Sequence, residues 1–107
     1  MTGMILSNIE HIPGYQTVRH LGLVQGNTVR AKHIGKDILA GFKNIIGGEL
    51  AAYTELLNDS RKESMDRMIE AASALGANAI VNIRFSTSSI SAGASELYVY
   101  GTAVIVE

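Results

Sequence analysis

The last ten residues before the end of the chain, Leu97 to Val106, constrain the fold more than any other segment. Alternation puts Leu97, Val99, Ala103 and Ile105 on one face and Tyr98, Tyr100, Val104 and Val106 on the other. A strand that is apolar on both sides must be covered on both sides. The chain has 107 residues, enough for one core and one domain spanning 1–107. With 47% apolar and 18% charged residues, it has the composition of a folded globule and not of a disordered segment.

Upstream, Tyr15 to Val24 carries apolar and β-branched residues in a strand-like pattern after a Pro13-Gly14 turn signal. Gly26-Asn27 is a favoured pair for a two-residue loop, so a β-hairpin returning through Val29 to His33 is expected. Ile38, Leu39, Phe42, Ile45 and Ile46 recur at helical spacing within 36–46 and predict a short helix, with Gly47-Gly48 as its stop. A long helix is expected over 49–75, closed by Gly76. Its apolar stripe is Leu50, Tyr53, Leu57, Met65, Met68, Ala72 and Leu75, interrupted by Ser60, Arg61 and Ser64. At about 1.5 Å per residue it would span roughly 40 Å. A compact domain of this size has a radius of gyration near ~13 Å, so the helix must bend, protrude or pack on a neighbour.

A strand over 78–86 puts Ala79, Val81, Ile83 and Phe85 on one face and Asn78, Ile80, Asn82, Arg84 and Ser86 on the other. The small residues of 87–95 read as a loop before the closing strand. The fold class is therefore α+β: a hairpin, a short and a long helix, and two antiparallel strands. Helices can cover only one face of so small a sheet, and a second copy of the chain is the simplest cover for the other. Burying four such side chains at about 2 kcal/mol each favours association by several kcal/mol.

Nine basic against ten acidic residues, with no basic cluster, leave no footprint for nucleic acid. No stretch approaches the length of a membrane span, and the start of the chain lacks the pattern of a signal peptide, so a soluble cytoplasmic protein is expected. There is no cysteine, which excludes disulfides, thiolate nucleophiles and cysteine-based metal sites.

The histidines are His11, His20 and His33. A hairpin turning at Gly26-Asn27 would set His20 opposite His33, two imidazole ligands that a neighbouring subunit's carboxylate could complete into a site for a divalent metal ion such as zinc, nickel or copper. The alternative is two partly solvated strand histidines. Arg84 could bind an anion or ligand, or pair with an acidic neighbour. Glu49, Glu55, Asp59 and Glu63 have no flanking histidine and fit a solvated helix face better than an acid–base dyad, and Lys62–Asp66 and Glu63–Arg67 have the spacing of surface ion pairs. Gly47-Gly48 without a longer glycine-rich motif fits a hinge. No catalytic constellation is assembled, although an enzyme with a site built across subunits stays open beside a binding protein and a purely structural module.

Several segments together resemble the YbjQ family: Ile12-Pro-Gly-Tyr, Leu23-Val-Gln-Gly, Gly48-Glu-Leu-Ala-Ala-Tyr-Thr-Glu-Leu-Leu, Arg67-Met-Ile-Glu-Ala-Ala, Leu75-Gly-Ala-Asn-Ala-Ile-Val, Arg84-Phe and Tyr100-Gly-Thr-Ala-Val. The resemblance spans almost the whole chain. It implies a dodecin-like β-α-β-β subunit in a ring, typically a homopentamer, and a heavy-metal-binding role. Related proteins with a metal-binding extension use cysteines, so that part of the family's chemistry does not carry over to this chain.

Overall fold

A computed structural model describes residues 3–30, 51–91 and 94–107. The described elements are β1 (Ile5–Leu6), β2 (Thr17–Arg30), α1 (Ala51–Ala74), β3 (Ala79–Ser91) and β4 (Ala94–Val106). They form one four-stranded mixed sheet in the order β1-β3-β4-β2. β1 runs parallel to β3, whereas β4 is antiparallel to both β3 and β2. The fold is α+β, as expected. The short helix of 36–46, Gly47-Gly48 and His33 lie outside the described residues.

The expected turn at Gly26-Asn27 does not exist. β2 passes straight through it, pairing Gly26 with Val99 and Asn27 with Tyr98. Glycine serves a different purpose here. A Cβ on Gly26 would overlap the Ser64 carbonyl oxygen and lie 2.7 Å from the Met68 backbone nitrogen, so only a residue without a side chain lets the backbone of α1 rest directly on β2.

That close approach also corrects the helix stripe. Ser60, Ser64, Met68 and Ala72 are all buried and recur every four residues, whereas Leu57 and Leu75 are partly exposed. Leu50 and the Tyr53 side chain are not among the described positions. The serines read as interruptions belong to the buried face. The Thr28 and Ser64 hydroxyls are 3.3 Å apart, and Ser64 Oγ donates to the Leu97 carbonyl at 3.2 Å. Four helical residues advance about 6 Å and two strand residues about 6.6 Å. Ser64 therefore meets Thr28 while Met68 meets Gly26.

The helix closes where expected. Gly76 has φ +87°, its N–H donates to the Ser73 carbonyl at 3.0 Å, and the Ala77 N–H donates to the Ala72 carbonyl at 3.1 Å, the paired bonds of a Schellman terminus.

β3 also departs from its expected faces. Val81 pairs with Thr102 but Arg84 with Tyr100, so one extra residue bulges out at Asn82, whose φ is +55°. The bulge inverts the alternation. Ala79 and Val81 pack with Val104, Val106 and Ile12, whereas Ile80 and Ile83 join Val24, Met68, Ala72, Val99 and Ala103 under the helix. Phe85 stays 46% exposed. Residues 87–91, expected as a loop, continue β3, with Thr87 opposite Leu97 and Ser89 opposite Ser95. Small polar side chains give little strand signal of their own, and ladder pairing to β4 decides their conformation.

The long helix needs no bend to fit, because the molecule is elongated. Its extents are 53 × 26 × 23 Å, and 24 helical residues span only about 36 Å. No helix among the described residues is long and apolar enough to cross a membrane.

Candidate functional site

The face of the sheet away from α1 is built in two parts. At one end Val104 and Val106, expected to be open, are buried at 1% and 3% exposure. The segment before β2 folds back there and seats Ile12 against them. That segment is tied down by the Asn82 N–H donating to the Ile9 carbonyl and the Ile83 N–H to the Ser7 carbonyl, at 3.0 and 3.1 Å. The chain therefore supplies part of the cover that a second copy was expected to provide.

At the other end the face is lined by side chains that register brings together from positions far apart in sequence. Gln25, Tyr100 and Arg84 form one row across β2, β4 and β3, and Asn27, Tyr98 and Ser86 the next. Tyr98 Oη donates to Gln25 Oε1 at 2.7 Å, and Asn27 Nδ2 donates to Glu96 Oε2 at 2.9 Å. The rings of Tyr98 and Tyr100 stack with centroids 5.3 Å apart. Leu23 and Val29 of β2 flank these rows and are 67% and 52% exposed. The sequence marks Tyr98 and Tyr100 as partners on one face by their period of two. It contains no signal that their counterparts are Gln25 and Asn27, some seventy positions away.

Among the described residues no carboxylate pairs with Arg84. Its Nη1 donates to the Asn8 carbonyl at 2.6 Å and to the Ile83 carbonyl at 3.0 Å, so the guanidinium clamps the N-terminal segment onto β3. His20 is exposed and lies opposite Val104. The turn that was to bring His33 to it is absent. His11 Nδ1 is 3.7 Å from Glu10 Oε1 in an exposed neighbouring pair. On α1, Lys62 Nζ pairs with Asp66 at 3.2 Å and Arg67 Nη2 with Glu63 at 3.0 Å, the two surface pairs that the spacing predicts. Glu55 and Asp59 stand in solvent.

Metal ligation can be tested directly on this geometry. Among the described residues no three His, Cys, Asp or Glu side chains converge on one point, and the sequence has no cysteine. The described part of a single chain does not fit a soft heavy-metal ion, which requires several convergent donors, preferably thiolate or thioether.

Comparison with known proteins places this arrangement in a family. A family model described as "Putative heavy-metal-binding", that of YbjQ, matches residues 4–107. A UPF0145 protein of Hahella chejuensis is 62% identical over 104 residues, covering 97% of this chain and all of that protein. A UPF0145 protein of Psychrobacter arcticus is 67% identical over 99 residues, covering 92% of this chain and 63% of that protein. Among solved structures, a protein of unknown function from the DUF74 family of Pediococcus pentosaceus has the same fold, with a TM-score of 0.65 at 13% identity, over 99% of this chain and all of that one. A match over nearly the full length, with relatives above 60% identity, makes this chain a member of the YbjQ family.

Proposed function

We propose that this chain works as a ring-forming homo-oligomer that holds a metal ion or small ligand between its subunits. The observation that carries the reading is edge strand β2, 14 residues long at the border of the sheet, which turns Leu23 and Val29 into solvent at 67% and 52% exposure. A long edge with apolar side chains is an invitation to strand pairing and is normally blunted or covered. A neighbouring copy would cover both the edge and the side chains, and head-to-tail contacts that close into a ring leave no free end. The number five rests on the family resemblance alone.

The proposed metal site lies between copies, and the described part of one chain gathers no ligand set of its own. His20, exposed on β2, is the ligand that each copy would bring. His33, which lies outside the described residues, is the second proposed ligand, and Arg84 the proposed contact for an anionic ligand.

Two measurements test the reading separately. Sedimentation velocity at micromolar concentration is expected to give a closed oligomer with the mass of five chains. A monomer would overturn the assembly, and a dimer or tetramer only the number. Titration with zinc, nickel or copper is expected to raise the melting temperature of the unmodified protein more than that of a His20→Ala variant. No shift in either protein would remove the metal, and equal shifts would remove His20 as its ligand, in both cases leaving the assembly intact.

A further inference from the structure

We draw no further inference here: the strongest candidate, the outer sheet surface carrying Tyr98, Tyr100, Gln25 and Asn27, carries nothing beyond the assembly already proposed, because nothing in the structure shows what covers it.

Discussion

Two serines one helical turn apart show how much a single hydroxyl depends on its surroundings. Ser60 and Ser64 are both buried on the face of α1 that meets the sheet. Ser64 is hydrogen-bonded to Leu97 and shares a bond with Thr28, whereas no group among the described residues pairs with Ser60 Oγ. A buried hydroxyl without a partner costs stability and one with a partner contributes to it. Replacing each with alanine should therefore have opposite effects. Ser64→Ala is expected to destabilise by about 1–2 kcal/mol, and Ser60→Ala to be neutral or stabilising by up to about 1 kcal/mol. Urea midpoints of the two variants check this, and a loss at Ser60 as large as at Ser64 would refute it. Gly26→Ala is the sharper test of the helix contact. Its methyl group would press on helix backbone, which cannot rotate away as a side chain can, so a loss of about 1–3 kcal/mol is expected. An unchanged midpoint with an unchanged slope would mean that α1 does not rest on β2 in this way.

Among the elements, β3 depends on a clamp that lies outside the helix-covered core. Arg84 bonds the Asn8 and Ile83 carbonyls just beyond the bulge at Asn82. Removing the guanidinium in Arg84→Ala should loosen the segment that carries Ile12 onto Val104 and Val106, at a cost of about 1–3 kcal/mol for bonds donated by a charged group. Hydrogen exchange locates the effect. The amides of Asn82 and Ile83, which donate to Ile9 and Ser7, are expected to exchange faster in the variant, while those of α1 from Met65 to Ala72 keep their protection. Uniform acceleration across the chain would instead mean global destabilisation. By contrast, the Lys62–Asp66 pair is solvent-exposed, and its removal should change stability by only a few tenths of a kcal/mol.

For the whole molecule, the distinction between what a subunit covers itself and what it leaves open decides which substitutions report on assembly. Sequence alternation makes Val104 and Tyr100 equivalent positions, each suited to an aspartate that would break subunit contacts. They are not equivalent in the fold. Val104 is 1% exposed beneath Ile12, so Val104→Asp buries a charge inside the subunit and should unfold it. Leu23, at 67% exposure, can accept aspartate without disturbing any core contact. Leu23→Asp is expected to dissociate the proposed oligomer while leaving far-ultraviolet circular dichroism unchanged. If the variant sediments as the unmodified protein does, the β2 surface is not part of the contact between copies.

The parts of this protein legible in the sequence are those set by interactions a few residues long. The helix of 51–74 and its Gly76 terminus follow from apolar spacing and from glycine's tolerance of positive φ, and the two ion pairs on α1 from a four-residue offset. The alternating faces of β4 follow from the two-residue period of a strand. The α+β class follows from these together. What only the tertiary structure decided depends on contacts between residues distant in the chain. Gly26-Asn27 carries the same local signal for a turn as for a strand crossed closely by a helix, and only the position of α1 separates the two. The serines of α1 lack the apolarity that marks a core face, yet they lie inward because the backbone of α1 rests directly on Gly26 and Ser64 is bonded to Thr28 and Leu97. The bulge at Asn82 and the cover of Val104 by Ile12 arise from pairing between β1, β3 and the N-terminal segment. The same holds for the candidate site, because its tyrosines are visible in the sequence whereas their partners on β2 are fixed by a register across some seventy residues of intervening chain.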